Sequence, residues 1–331
     1  MRLRYAFFPA GGMNTASTRI RLYGIEHRLR ESGAHVSYGF DPLADIFYFQ
    51  KKLDHLLLRK AKVARWLGRK IIYDVDDLGQ ALGYWTNDAD FADMLGLADM
   101  VTTCSNAQAA WLKENYPLRR VEVIPNLIDY FPDQVVRISR TSSAMFQIVW
   151  FGNFTNFWIF EKHLSTLLSI PDVQINVITD IHALEGKPAA YPKVRFHHWS
   201  LPDFITTLQQ SDIAFLPHDG NYEDRSKGNN KMITAICWGL PVIATSTPEY
   251  SRTAAELGVT EFLVSTPEEL IRALERLRAP EHRSGYLDVA QAEAWHRYSP
   301  QTIADRFLAL SRSLLPAGTP EQFGTQHRPP S

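Results

Sequence analysis

Cysteine is nearly absent from this sequence of 331 residues, which contains only Cys104 and Cys237. Two cysteines so far apart exclude a disulfide framework and a cysteine-based zinc site, and they are typical of a reducing compartment. An excess of charge of one sign is also absent, because 35 Lys and Arg residues offset 36 Asp and Glu residues. A chain so nearly neutral lacks the basic field that gathers nucleic acid, so we expect no nucleic-acid partner.

Long hydrophobic runs are missing as well. The unbroken apolar run near the N-terminus, Tyr5–Phe8, ends at Pro9 and is shorter than the core of a signal peptide. The most apolar stretch, 145–160, is interrupted by polar residues, whereas a helix that spans a bilayer needs about 20 apolar residues. We therefore expect a cytoplasmic protein, and peripheral contact with the inner face of a membrane stays open.

Four common catalytic motifs are absent too. The sequence contains no G-x-G-x-x-G, no G-x-x-x-x-G-K-[ST], no H-E-x-x-H and no G-x-S-x-G. Dehydrogenases, P-loop enzymes, zincins and α/β-hydrolases therefore lose their usual sequence support.

The chain contains instead a repeated alternation of short apolar strands and amphipathic helices. This alternation predicts an α/β fold with parallel sheets covered on both faces. Six strands are predicted between residues 3 and 124 and six between 146 and 264, which indicates two doubly wound, Rossmann-like domains with a cleft between them. We predict an N-terminal domain over 1–130, a linker over 131–144, a second domain over 145–298, a C-terminal helix over 299–315 and a flexible tail over 316–331.

The loop after the first strand is a candidate site, because such sheets bind ligands beyond the carboxyl ends of their strands. It contains Gly11 and Gly12, where backbone N–H groups can approach an anion, although an ordinary turn uses the same residues. The following helix opens with Ser17, Arg19 and Arg21. Two cations in a first turn oppose the helix dipole, so we predict contact with an anionic acceptor or donor, with a solvated face as the alternative.

Three carboxylates, Asp74, Asp76 and Asp77, lie at or just beyond the end of the predicted strand 70–75. Alternation along a strand places Asp74 and Asp76 on the same side. Crowded carboxylates repel one another unless a cation or a hydrogen-bond donor relieves them. We predict that Asp76 and Asp77 are catalytic, as a general base or hydroxyl acceptor. A D-x-D site for Mg²⁺ or Mn²⁺ and a helix N-cap are the alternatives.

The segment 217–231 is a long polar loop between a buried strand and the helix that begins at Asn230. Loops of this length inside a compact domain are usually functional or mobile. Arg225, Lys227 and Lys231 converge near the helix N-terminus, where the dipole and unpaired N–H groups already favour phosphate. We predict a phosphate site here, with an exposed charged loop as the alternative. The pair His197-His198 is interpreted as structural, because no third ligand lies at metal-binding spacing.

Four motifs occur in the order and spacing of a known family. Val123–Asp129 resembles the family's VIPNGVD, and Ser211–Pro217 resembles the strand that precedes its donor loop. Asn230–Thr234, followed by Gly239–Ala244, resembles N-K-x-x-E and GLPVIA, and Pro9–Gly12 is similar to the opening glycine loop. On these residues the chain resembles GT-B glycosyltransferases, nearest the family-4-type group of nucleotide-sugar-dependent enzymes.

The resemblance implies a transferase that moves a sugar from a nucleotide-sugar to a hydroxyl of a saccharide or lipid-linked glycan, as in bacterial polysaccharide biosynthesis. It implies retention of anomeric configuration, no metal and no other cofactor. The first domain would bind the acceptor and the second the nucleotide-sugar, with the last helix packing back on the first domain. The residues expected at the donor diphosphate and sugar are Gly11, Gly12, Gly152, Asn153, Arg225, Lys227, Asn230, Lys231 and Thr234.

Two departures from the family pattern concern the donor site. Ser226 and Thr234 stand where the family carries a Glu-x7-Glu pair that binds the ribose. The family also has an Arg and a Lys that bind the diphosphate after the first strand of the second domain, whereas the segment after Phe151 contains no cation. Arg225, Lys227 and Lys231 are expected to take their place. The departures keep open a catalytically inactive nucleotide-binding or partner module, and a nucleotide-sugar epimerase shares the fold. A metal-dependent GT-A enzyme is suggested only by the aspartate cluster, and the restart of alternation after residue 143 speaks against it.

Overall fold

The computed structural model describes residues 2–51, 53–76, 78, 88–130, 132–137, 145–184, 186–221 and 225–316. Within these residues, twelve strands form two parallel sheets of six strands each. The strands are short and almost entirely apolar, which is the pattern of parallel sheets that are buried on both faces.

The first sheet contains β1 (Arg4–Phe8), β2 (His35–Tyr38), β3 (Ile46–Gln50), β4 (Lys70–Val75), β5 (Met100–Thr103) and β6 (Val121–Val123). Its strand order is β2-β1-β3-β4-β5-β6. The chain reverses its direction of winding between β1 and β3, so the loops that follow these two strands diverge and leave a crevice at the carboxyl edge.

The second sheet contains β7 (Phe146–Phe151), β8 (Val173–Thr179), β9 (Val194–His198), β10 (Ile213–Leu216), β11 (Val242–Thr245) and β12 (Leu263–Val264). Its order, β12-β11-β10-β7-β8-β9, is that of a dinucleotide-binding fold. The winding reverses between β7 and β10, so the loops after these strands are the ones that can hold a ligand.

Helices connect the strands and cover both sheets. The first of them begins as Ala16–Thr18, widens into a π-helical turn at Arg19–Tyr23 and continues as Gly24–Glu31. The remaining helices of the first domain are His55–Trp66, Asp88–Leu97 and Asn106–Asn115. Those around the second sheet are Phe157–Glu161, Leu164–Leu168, Lys187–Ala190, Leu201–Gln210, Asn230–Cys237, Pro248–Glu256, Pro267–Arg278 and Pro280–Tyr298.

The last described helix, Pro300–Arg312, returns to the first sheet. Its buried residues join the apolar cluster on the face of that sheet covered by the first helix. The ring of Phe307 lies 5.9 Å from the ring of Tyr5 and 5.5 Å from the ring of Tyr48. The C-terminal part of the chain therefore belongs to the core of the first domain.

The predicted α/β architecture with two Rossmann-like sheets is confirmed, and each of the twelve predicted strands is present. The helix Asp88–Leu97 was not predicted, although Phe91, Met94 and Leu95 have helical spacing and are buried. The proposed linker is described only over 132–137, and the tail beyond residue 316 lies outside the described residues. None of the described helices is both long and apolar enough to cross a membrane.

Candidate functional site

A pocket of about 600 Å³ opens between the two domains, at the carboxyl edges of both sheets. Its walls come from the start of the first helix, the segment after β6, the turn after β7 and the helix that begins at Asn230. Of the residues that the sequence predicts for a site, those lining this pocket are Arg19, Gly152, Asn153, Lys227, Asn230, Lys231 and Thr234.

One wall of the pocket is cationic. The Nζ atom of Lys227 lies 3.5 Å from Oδ1 of Asn156, and Lys231 extends across the end of β7. A Cβ atom placed on Gly152 would lie 3.5 Å from Nζ of Lys231, so glycine at this position leaves room beside the ammonium group. Helix Asn230–Cys237 begins at the same wall, and its first N–H groups and dipole favour an anion there. This wall can hold a diphosphate.

The turn after β7 is shaped by Asn153. Its Oδ1 accepts hydrogen bonds from the backbone N–H and the hydroxyl of Thr155, each at 3.0 Å. Asparagine side chains commonly stabilise such turns by this local bond. Asn153 therefore fixes the backbone that faces the cationic wall, and direct contact with a donor stays a prediction.

Thr234 joins the two domains. Its side chain is buried, and its Oγ1 accepts the backbone N–H of Asp129 at 3.0 Å. Nearby, Nε1 of Trp238 donates to the carbonyl oxygen of Asp129 at 3.1 Å. The hydroxyl predicted for the ribose is thus engaged with the segment that links the sheets, and the ribose contact stays a prediction.

Arg19 lines the pocket, but its charge is already matched. Its Nε and Nη2 atoms donate to the two carboxylate oxygens of Asp129, both at 2.7 Å, and Nη1 donates to the carbonyl oxygen of Met13 at 2.7 Å. Burial of the guanidinium is outweighed by hydrogen bonds and charge from Asp129, which raise the pKa of Arg19 above its ordinary value. Arg19 therefore holds the first helix to the interdomain segment.

The prediction that Arg21 contacts an anionic ligand is corrected by its position beneath the first helix. Its side chain is buried and does not line the pocket. Nε donates to Oδ2 of Asp74 at 2.8 Å, and Nη1 donates to the carbonyl oxygen of Ile124 and to Oδ1 of Asn126. The helix opens with a cation because a buried carboxylate lies below it, and this partner compensates the charge.

The glycine loop supports the pocket without lining it. A Cβ atom on Gly11 would lie 2.2 Å from Oγ1 of Thr15, so the tight turn requires glycine. The carbonyl oxygen of Gly12 accepts the N–H of Thr15 at 2.9 Å, and that of Ser17 accepts Nε2 of Gln50 at 2.9 Å. These bonds tie the start of the first helix to the end of β3. Arg225 is exposed and is not among the lining residues.

The carboxylate cluster at the end of β4 divides into different environments. Asp74 is fully buried with Arg21, whereas Oδ1 of Asp76 lies 3.6 Å from Nζ of Lys51. The backbone carbonyl of Asp76 accepts Nε2 of Gln108 at 2.8 Å, which fixes the loop at this point. Asp76 is not among the lining residues of the pocket, and its catalytic role stays a prediction. Asp77 lies outside the described residues.

An aromatic wall of the pocket was not predicted. Tyr130 stacks on Phe204 with ring centroids 4.4 Å apart, and Nε1 of Trp199 donates to the Tyr130 hydroxyl at 3.1 Å. The guanidinium of Arg19 lies 5.0 Å from the Tyr130 ring and 5.5 Å from the Trp199 ring. Burial raises the pKa of Tyr130 above its ordinary value, so its hydroxyl stays protonated. The sequence does carry one signal for this wall. Tyr130 directly follows the motif Val123–Asp129, which marks the end of the first domain.

The loop before helix Asn230–Cys237 is pressed against the first domain. Oγ of Ser105 donates to the carbonyl oxygen of Ser226 at 2.6 Å. A Cβ atom on Gly228 would lie 2.6 Å from Nδ2 of Asn126 and 3.1 Å from Sγ of Cys104, so only glycine fits this approach. Burial raises the pKa of the Cys104 thiol to about 12, so the thiol presents no charge at this contact.

Metal-binding clusters are absent from the part of the chain that the structure describes: no group of three or more His, Cys, Asp or Glu side chains could hold an ion. His197 bonds instead through Nε2 to Oδ1 of Asn176 at 3.1 Å. The requirement for a metal is untested by this geometry, and metal independence stays a prediction.

Comparison with protein families finds a match within the second domain. Residues 146–279 match the family "Glycosyl transferases group 1". No curated protein matches the chain.

Solved structures extend the similarity to the whole fold. HepE from Anabaena, in complex with UDP and glucose, superposes with a TM-score of 0.67 at 15% identity, covering 95% of this chain and 100% of its own. A putative UDP-N-acetylglucosamine 2-epimerase from Listeria monocytogenes gives 0.57 at 14% identity, covering 95% and 96%. A variant of S. aureus TarM in complex with fondaparinux, α-GlcNAc-glycerol and UDP gives 0.54 at 9% identity, covering 80% of this chain and 55% of that one. The predicted GT-B fold is therefore confirmed, and the family-4 subtype stays a prediction.

Proposed function

Because the chain has the GT-B fold and carries a glycosyl transferases group 1 domain, we propose that it transfers a sugar from a nucleotide-sugar to an acceptor hydroxyl. The acceptor is a saccharide or a lipid-linked glycan, and the reaction retains the anomeric configuration and needs no metal. UDP-sugars are the first donors to test, because HepE, which this chain covers over its full length, is in complex with UDP and glucose.

The observation that carries the proposal is the cationic wall of the interdomain pocket. Lys227, Lys231 and the N-terminus of helix Asn230–Cys237 face the same space, beside the glycine that ends β7. A departing nucleoside diphosphate carries negative charge that develops as the bond to the sugar breaks. Preorganised cations and N–H groups stabilise such charge without reorganising, so these residues supply what a metal ion supplies in other transferases.

The acceptor is proposed to enter from the first domain. Asn14, Thr15 and Ala16 form that side of the pocket, at the start of the first helix. Asp76, on the loop after β4, is the carboxylate proposed to accept the proton of the attacking hydroxyl. A cleft closed by two domains orients the two substrates and excludes water, which would otherwise hydrolyse the donor.

Binding of UDP is the first test of the proposed donor site. We expect UDP to raise the thermal stability of the protein, because a ligand at about 100 times its dissociation constant adds about 2.7 kcal/mol to the state that binds it. The shift should be the same with and without EDTA. A shift that EDTA abolishes would overturn metal independence, and no shift with UDP, GDP, CMP or dTDP would favour the inactive module.

Turnover distinguishes the transferase from the epimerase. Incubated with a UDP-sugar that binds, a transferase releases UDP only when an acceptor hydroxyl is supplied, whereas an epimerase changes the donor alone. Nuclear magnetic resonance of the product reports the anomeric configuration directly. An inverted product would overturn the proposed stereochemistry and leave the donor site intact.

Replacing Lys231 by alanine tests the diphosphate assignment. Loss of a charge-assisted hydrogen bond costs about 1.5–3 kcal/mol, so we expect the affinity for UDP to fall about 10- to 150-fold while the unfolding midpoint barely changes. Titration calorimetry with UDP and with uridine separates the phosphate contribution, because uridine should bind both proteins equally. The control is Lys113→Ala, at an exposed lysine of helix Asn106–Asn115. Unchanged UDP affinity in Lys231→Ala would remove this residue from the site.

A further inference from the structure

Helix His55–Trp66 exposes an apolar stripe on its outward side. Leu56, Val63 and Leu67 are exposed. Val63 lies about two helical turns after Leu56 and Leu67 about three, so the three residues share one face. Trp66 stands beside them with 83% of its surface exposed. Arg69 donates through Nη2 to the carbonyl oxygen of Pro42 at 2.8 Å, which brings exposed Leu43 next to the end of the helix. We call Leu43, Leu56, Val63, Trp66 and Leu67 the outer patch.

The outer patch is additional to the apolar surface that folds the domain. The opposite face of the same helix carries Leu58, Ala61 and Ala64, which are buried in the cluster on the first sheet. Isolated exposed apolar residues are ordinary, whereas a group of neighbouring apolar residues that includes a largely exposed tryptophan marks an interaction surface.

The segment that carries the outer patch is basic in sequence. Residues 55–70 contain six Lys and Arg residues and no Asp or Glu. Three of these cations have acidic neighbours: Nζ of Lys62 lies 3.0 Å from Oδ2 of Asp93, and Oδ1 of Asp99 lies 2.8 Å from Nη1 of Arg65 and 3.7 Å from Nζ of Lys70. The basic residues of this segment are Arg59, Lys60, Lys62, Arg65, Arg69 and Lys70.

We propose that the outer patch binds the surface of an anionic lipid bilayer, with helix His55–Trp66 lying in the headgroup region. A helix with one apolar face and cations along its borders lies parallel to such a surface, because the apolar side chains enter the interface and the cations meet lipid phosphates. Tryptophan is enriched at this depth. The long stems of arginine and lysine allow their charges to reach the headgroups while the stripe is inserted.

The outer patch extends from the carboxyl edge of the first sheet to its opposite edge. The helix begins after the carboxyl end of β3, near the crevice, and ends before β4, so Leu56 lies toward the crevice while Trp66 and Leu67 lie at the opposite edge. A bilayer along the outer patch therefore lies beside the domain that is proposed to bind the acceptor. Binding to lipid does not depend on the transfer reaction, and its test needs no substrate.

The test is co-sedimentation of the full chain with vesicles. We expect binding to vesicles of phosphatidylcholine mixed with phosphatidylglycerol, weaker binding at high salt, and little binding to phosphatidylcholine alone. The double variant Val63→Ser and Trp66→Ser should bind at least about tenfold more weakly, since it removes the apolar area that is buried. Arg59→Gln and Lys62→Gln together should weaken binding about fivefold for each charge removed.

Matched controls lie on the second domain and near the C-terminus. Val289→Ser makes the same change at an exposed valine of helix Pro280–Tyr298, and Arg306→Gln removes an exposed cation. Neither should alter vesicle binding, and circular dichroism should show all variants folded. The proposal is overturned if the unchanged protein does not bind anionic vesicles or if the controls lose as much binding. It is also overturned if light scattering shows a dimer that Val63→Ser and Trp66→Ser convert to a monomer without any vesicle binding.

Discussion

Replacing Arg21 by methionine is expected to lower the free energy of unfolding by about 3–5 kcal/mol, the cost of leaving one member of a buried ion pair without its partner. Asp74 is fully buried, and after the change its remaining partners are the hydroxyls of Tyr48 and of Thr102, the latter 2.6 Å from Oδ1, neither of which supplies a compensating charge. The backbone carbonyl of Ile124 and the amide of Asn126 lose their donor as well. Urea denaturation measures the change.

Two further variants show whether the ion pair is the cause. Arg28→Met makes the same substitution further along the same helix, in the part Gly24–Glu31. Its partner Glu31 is exposed there, so the change should cost at most about 1 kcal/mol. The double variant Arg21→Met and Asp74→Leu should recover much of the loss, because no uncompensated charge then remains in the core. Equal destabilisation by Arg21→Met and Arg28→Met would contradict the explanation.

Replacing Asp76 by asparagine is expected to lower kcat about 10²- to 10⁴-fold, the usual contribution of a general base. Asparagine has the same shape but cannot accept the proton of the acceptor hydroxyl. The backbone carbonyl of Asp76 would keep its bond from Gln108, so the loop should hold its position. Steady-state kinetics with a UDP-sugar and an acceptor give kcat, and titration calorimetry should show an unchanged affinity for UDP.

The neighbouring carboxylate supplies an internal contrast. Asp74→Asn should lower stability and leave the pH dependence of turnover as it was, because Asp74 contacts Arg21 rather than a substrate. Asp76→Asn should leave the unfolding midpoint nearly unchanged and remove the limb of the pH profile that reports the base. The exposed Asp288→Asn is the neutral control. Turnover that survives in Asp76→Asn would assign Asp76 a structural role beside Lys51.

The fold could be predicted because its determinants are local. Each strand of these sheets is a short apolar run, and strands such as β1 and β4 are buried on both faces, so composition alone indicates them. The helix Asp88–Leu97 escaped prediction because three aspartates and Gly96 interrupt its apolar residues. The cationic wall was also foreseeable, since Lys227 and Lys231 lie close together in the sequence, at the start of one helix.

The remaining parts of the site depend on contacts between distant residues. Arg19 and Asp129 are 110 positions apart and Arg21 and Asp74 are 53 positions apart, and nothing in either local sequence names the partner. The helix-dipole argument therefore predicted a ligand for cations that the protein itself neutralises. The aromatic wall has the same origin, because Tyr130, Trp199 and Phe204 meet only after both sheets have formed.

The residues of the segment 226–228 contact the first domain and the interdomain pocket in alternation. Ser226 and Gly228 contact the first domain, while Lys227 between them lines the interdomain pocket. Separation of the domains would remove the support that places Lys227, so we expect affinity for the proposed diphosphate and docking of the domains to be thermodynamically coupled. Coupling of this kind is reciprocal, so a contact that favours docking of the first domain should raise the affinity for the proposed nucleotide by the same factor by which the nucleotide favours docking.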